Sequence, residues 1–106
     1  DAGTKGLIFD FKIVTSITSN AAKIITGDTA AEFLIGTYVN VDTDTSDALV
    51  GFSGNGTTQV AVSQNGTTTG GLLGTSLRFT CVSSTLWLVE GTVRGSGSVA
   101  TAFATS

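Results

Sequence analysis

Leu77-Arg78-Phe79-Thr80-Cys81-Val82, then Ser83-Ser84-Thr85, then Leu86-Trp87-Leu88-Val89-Glu90-Gly91-Thr92-Val93 is the stretch whose reading decides the fold. Two runs rich in apolar, aromatic and β-branched residues flank a short polar turn, which is the spacing and composition of a β-hairpin. Trp87 lies between Leu86 and Leu88, so one face of the second strand must carry the indole. Burying it contributes roughly 1.5–3 kcal/mol, provided the ring N–H finds an acceptor. The indole is read first as a core anchor and otherwise as a subunit or ligand contact.

Working outward, Asn55-Gly56, Asn65-Gly66 and Gly70-Gly71 supply the positive backbone angles that tight turns demand. Upstream, Leu7, Phe9, Phe11 and Ile13 alternate with Asp10 and Lys12, the period-two pattern of a strand with one buried face, predicted over residues 6–16. A second run, residues 33–41, sets Phe33, Ile35, Val39 and Val41 on one side. Shorter candidates are residues 23–26, 48–52 and 59–63. Only residues 29–34 resemble a helical turn, with Asp28 or Thr29 as cap and Glu32 three positions on. No long amphipathic stretch exists, so βαβ architecture is excluded. The expectation is an all-β fold, an antiparallel β-sandwich or small barrel of about seven or eight short strands.

The 106 residues suit a single domain, 1–106. A domain this small buries only roughly 60 to 70% of the surface its unfolded chain exposes, so a subunit partner would help it. Five basic residues against eight acidic ones leave a net charge of −3, which speaks against nucleic acid as a partner. Disorder is excluded too, because 41% of residues are hydrophobic and only 12% charged. No apolar run reaches the roughly 18–20 residues that would span a membrane, so a membrane partner is not expected. A single cysteine, Cys81, rules out an internal disulfide and a CxxC metal site. Methionine is absent altogether, and the expectation is therefore of a trimmed chain with a segment upstream of Asp1.

Histidine is also absent, which removes Ser-His and Cys-His nucleophile pairs and imidazole metal ligands. Paired carboxylates could hydrolyse glycosides, but nothing in the spacing of Asp10, Asp28, Glu32, Asp42, Asp44, Asp47 and Glu90 selects two of them. The acidic run 42–47 opens like a calcium loop. It then departs, with Asp47 where the loop needs Gly and Ser53 where it needs Glu. Asn55-Gly56-Thr57 and Asn65-Gly66-Thr67 match the N-glycosylation pattern, yet both also read as ordinary turns. Gly70-Gly71 and Gly95-Ser96-Gly97 lack the Lys-Ser/Thr ending and following helix of a phosphate loop. The expectation is a non-enzymatic chain with no catalytic residue, no metal and no cofactor. Its candidate contact residues are Trp87, Phe103 and Phe52.

The run from Asn65 through Gly70-Gly71, Gly74 and Leu77 to Val82, followed by Trp87-Leu88-Val89-Glu90-Gly91, resembles a pattern of tailed-bacteriophage virion proteins. There a "GG..G..i.l" strand leads into a "W.v.G" strand. Gly95-Ser96-Gly97-Ser98-Val99-Ala100-Thr101-Ala102-Phe103 is similar to that family's closing "GSG..ATPF", with Ala102 where proline is usual. Residues 3–13 resemble the point where such chains leave an extended segment that adds a first strand. The resemblance implies a phage particle component assembled in the host cytoplasm. The form it implies is a homotrimeric head decoration or cement protein that binds the major capsid protein. The alternative it leaves open is a tail-fibre or adhesin domain that recognises a host glycan.

Overall fold

The computed structural model describes residues 6–43 and 49–106. Eight strands form among them: β1 (Ile8–Lys12), β2 (Ala22–Ile25), β3 (Phe33–Asp42), β4 (Leu49–Asn55), β5 (Ala61–Gln64), β6 (Ser76–Cys81), β7 (Leu86–Gly95) and β8 (Phe103–Ala104). They make two sheets, a five-stranded one in the order β1-β6-β7-β3-β4 and a three-stranded one in the order β2-β5-β8. The predicted all-β class holds, in its sandwich form; the sheets do not close into a barrel. Residues 29–31 form a turn and not a helix. Asp28 ends up as its cap, with its carbonyl accepting from Glu32 N at 2.7 Å and its Oδ1 accepting from Ala30 N at 3.0 Å.

β6 and β7 form the antiparallel hairpin that the opening stretch predicts, with Cys81 opposite Trp87 and Phe79 opposite Val89. β1–β6, β3–β4, β2–β5 and β5–β8 are also antiparallel. β3 and β7 run parallel, joining residues about fifty positions apart, so the larger sheet is mixed. Their approach is close. Gly36 of β3 stands opposite Val89 at φ 108°, and a Cβ there would come within 2.9 Å of the Val89 nitrogen. A glycine in an otherwise bulky strand is explained by that backbone contact.

The registers define two faces of the larger sheet. Across its inner face run the rows Phe9, Phe79, Val89, Gly36, Gly54 and Phe11, Leu77, Gly91, Tyr38, Phe52. The outer face carries Asp10, Arg78, Glu90, Thr37 and Ser53 in one row, the solvated complement expected of alternation. Val62 and Phe103 of the smaller sheet meet Leu34, Tyr38, Leu77, Phe79, Trp87, Val89 and Val93 of the larger in one core.

The side of β3 that carries Phe33, Ile35, Val39 and Val41 is the outer one. Its core side holds Leu34, Tyr38, Asn40 and Asp42, because the register aligns Leu34 with Trp87 and Asn40 with Val93, both of which point inward. The two uncharged polar side chains there are hydrogen-bonded, Asn40 through its Nδ2 alone, since its buried Oδ1 has no partner among the described residues. Ala102 N donates to Tyr38 Oη at 2.6 Å, and Asn40 Nδ2 donates to the Thr68 carbonyl at 3.3 Å.

Candidate contact surface

The inward row of β1 does not end up covered. Phe9 and Phe11 keep 44% and 39% of their surface exposed, against the fully buried face their alternation predicts. Three strands facing five fall short by two strand spacings, about 10 Å. β1, at the edge of the larger sheet, therefore lies along a seam whose other wall is β2, the edge of the smaller one.

The seam has two lobes. The first, about 200 Å³, is lined by Phe9, Phe11, Ile24, Ile25, Leu34 and Trp87 among others. The second, about 180 Å³, continues past Phe11 and Ile24 to Ile13, Ala22, Gln64 and Leu77. Ring contacts fix its floor: Phe9 lies tilted on Trp87 with centroids 5.8 Å apart, and Phe11 meets Phe79 edge-on at 5.4 Å. These geometries are favourable for aromatic pairs and hold the exposed rings in place. Ile25, half exposed, stands at the mouth.

Among the described residues, Lys12 and Lys23 are the only charged ones beside either lobe, and neither ammonium group faces into it: Lys12, next to inward Phe11, lies on the outer face, and Lys23 reaches toward the end of the chain. Lys12 Nζ donates to Ser76 Oγ at 3.0 Å and Lys23 Nζ to the Ser106 carbonyl at 3.0 Å, which leaves each ammonium further donors. Gln64, only 2% exposed, lines the second lobe, and its Nε2 has no hydrogen-bond partner among the described residues. On the outer face Arg78 grips Asp10 through two nitrogens, at 2.8 and 3.3 Å. The hydrogen bond from Arg78 holds the Asp10 carboxyl below its ordinary value, and the same bond raises Arg78.

The residues singled out from sequence are distributed as follows. Trp87 and Phe103, each 6% exposed, are core residues, and Phe52 is half-buried against Tyr38 with centroids 5.6 Å apart. Of the three, Trp87 alone lines the seam, as part of its floor. Its Nε1 donates to Glu32 Oε1 at 3.2 Å, the acceptor a buried indole requires. The carboxylates do not converge: Asp10 pairs with Arg78, Asp28 caps a turn, Glu32 holds Trp87, Asp42 is buried at the end of β3, and Glu90 stands beside Arg78 on the outer face. Among the described residues no group of three or more His, Cys, Asp or Glu comes together. Asp44 and Asp47 of the calcium-like run lie outside the described residues.

Both Asn-Gly segments are turns built on the asparagine side chain. Asn55 Oδ1 accepts from Thr57 N and Thr58 N at 2.9 and 3.0 Å, and Asn65 Oδ1 accepts from Thr67 N and Thr69 N at 2.8 and 3.1 Å. Ile24, Ile25 and Gln64 were not distinguished by the sequence reading as contact residues. The signal was present only as two apolar residues beside a lysine in a short strand, which nothing local marks as an edge. No family model matches the chain, and neither a curated protein nor a solved structure is detectably similar to it.

Proposed function

We propose that this chain is a structural protein of a phage particle, a homotrimeric decoration or cement subunit that binds the major capsid protein and performs no chemistry. The observation that supports this reading is the aromatic seam along β1 and β2. An uncovered apolar strip, floored by core aromatics and bounded by two strand edges, suits a protein completed by its neighbours. The resemblance of residues 65–91 and 95–103 to virion proteins points the same way. The glycan-binding alternative would use an exposed polar aromatic, and Tyr38 is wholly buried while Trp87 is nearly so. The test is quantitative mass spectrometry of particles purified from infected cells that encode the chain. A copy number comparable to that of the shell protein is expected. Absence from the particle, or a few copies confined to the tail, would overturn the proposal.

A further inference from the structure

We infer that Asn55 is a site of spontaneous self-modification. Its side-chain amide is the electrophile and the Gly56 nitrogen the nucleophile in formation of a succinimide, and the fold permits this reaction at Asn55 while withholding it from Asn65.

By sequence the two sites are chemical equals. Asn55-Gly56-Thr57-Thr58 and Asn65-Gly66-Thr67-Thr68 have the same residues in the same order. Glycine after asparagine favours the step, because no side chain obstructs the approach of its nitrogen. The two amides are also activated alike. Asn55 Oδ1 accepts from Thr57 N, Thr58 N and Gln59 N at 2.9, 3.0 and 3.4 Å. Asn65 Oδ1 accepts from Thr67 N, Thr67 Oγ1 and Thr69 N at 2.8, 3.1 and 3.1 Å. Donors so placed draw electron density from Cγ and stabilise the negative charge that develops on the oxygen as Cγ is attacked.

The nucleophiles separate the sites. Each glycine N–H is held by a carbonyl, Gly56 by that of Leu34 at 2.9 Å and Gly66 by that of Gly70 at 2.7 Å, so each must be released before it can lose its proton. Gly56 is half-buried, and a Cβ there would meet only side chains, Ile35 Cδ1 at 3.4 Å and Leu86 Cδ2 at 3.5 Å, which can give way. Gly66 is buried against backbone, where a Cβ would strike the Ile17 carbonyl. The peptides that follow it are bonded to Ser96 and Ala100. Solvent base therefore reaches Gly56 when one turn opens, whereas Gly66 is freed only together with the segments packed on it.

In the reaction, hydroxide removes the Gly56 N–H proton and the nitrogen bonds to Asn55 Cγ. The Cγ–Nδ2 bond breaks, and ammonia leaves with a proton taken from water. A second water opens the ring. Breaking the new N–Cγ bond gives aspartate; breaking the original peptide N–C bond gives isoaspartate, whose main chain runs through Cγ. Either product is heavier by about 1 Da and adds one negative charge to a chain of net charge −3. Aspartate keeps an oxygen for the same backbone donors, now in charge-assisted bonds. Isoaspartate lengthens the main chain by one carbon and displaces Gly56 from the Leu34 carbonyl. The reaction needs only water, so it proceeds whatever the chain binds.

The test incubates the full chain at mildly alkaline pH, native and in urea, and follows each asparagine by fragment-ion mass spectrometry that separates aspartate from isoaspartate. In the unfolded chain the two sites should react within about twofold of each other, because only local sequence then acts. In the native chain Asn55 should react about tenfold or more faster than Asn65. Urea below the unfolding transition should change the Asn55 rate little, while the Asn65 rate climbs with the unfolded fraction. Equal rates in the native chain, a faster reaction at Asn65, or no product at Asn55 by the time the unfolded chain has converted fully would each overturn the inference.

Discussion

Tyr38 shows how one residue can tie the two sheets together. Its ring lies 5.3 Å from that of Phe103 in the smaller sheet and 5.6 Å from that of Phe52 in its own, while its hydroxyl accepts the Ala102 N–H. Tyr38→Phe keeps the ring contacts and orphans that buried N–H, at an expected cost of about 1–3 kcal/mol in urea unfolding. The same residue sets an alkaline limit. Burial pushes the Tyr38 hydroxyl above the ordinary 10.0, only partly offset by its hydrogen bonds with Ala102 and Thr101. With the folded value raised, the unfolded chain releases its proton first as pH climbs. The contribution is therefore intact below pH 10.0 and is lost as pH rises from there through the folded value. Comparing urea midpoints at about pH 8 and about pH 11 should show a steeper decline for the native protein than for Tyr38→Phe. Equal declines would mean that the phenol is not protected.

At the scale of elements, the two Asn-Gly turns have nearly the same internal bonds and different surroundings. The turn at Asn55 joins β4 to β5, and outside its internal bonds it is tied to β3, where Gly56 N donates to the Leu34 carbonyl at 2.9 Å and Leu34 N donates to the Gln59 carbonyl at 2.8 Å. The turn at Asn65 is anchored on all sides: the Thr67 carbonyl accepts from Ser96 N at 3.0 Å, the Thr68 carbonyl accepts from Ala100 N at 2.8 Å and from Asn40 Nδ2, and Gly66, at φ 86°, lies where a Cβ would strike the Ile17 carbonyl. Asn65→Ala should therefore cost about 1–3 kcal/mol and Asn55→Ala about 1 kcal/mol or less, as measured by thermal unfolding. Equal losses would show that the anchoring contributes nothing. These turns were legible in the sequence because Asn-Gly carries its conformation locally, and the β6–β7 hairpin was legible for the same reason. The parallel pairing of β3 with β7 was not, since nothing in residues 33–42 records the direction of a neighbour about fifty positions away. The buried side of β3 was hidden as well, because it presents Tyr38, Asn40 and Asp42 where the outer side presents Ile35 and Val39. The seam was half legible. Phe9 and Phe11 announced an apolar face, while the width of the sheet opposite, which leaves them uncovered, depends on how many strands assemble there.

Across the whole molecule, the sandwich is fastened on one side and open on the other. Its last residues make the fastening. β8 pairs with β5 in the smaller sheet, Phe103 packs on Tyr38 of the larger, Ala102 caps the Tyr38 hydroxyl, and Ala100 N bonds to the Thr68 carbonyl. Among the described residues no strand pairing joins β1 to β2, where the seam lies. Phe103→Ala should cost about 3–5 kcal/mol, the loss usual for truncating a buried phenylalanine. Domains of this size are stable by only about 5–15 kcal/mol, so that one side chain carries a large share of the margin. Deleting residues 96–106 removes the same ring together with the β8 ladder and the Ala102 and Ala100 bonds, and exposes the inner faces of Val62 and Tyr38. The shortened chain should show no cooperative thermal transition, whereas Ile25→Asp, on the open side, should melt close to the native protein. A cooperative melt from the shortened chain would place the fastening elsewhere, in the β3–β7 pairing that alone would then hold the core.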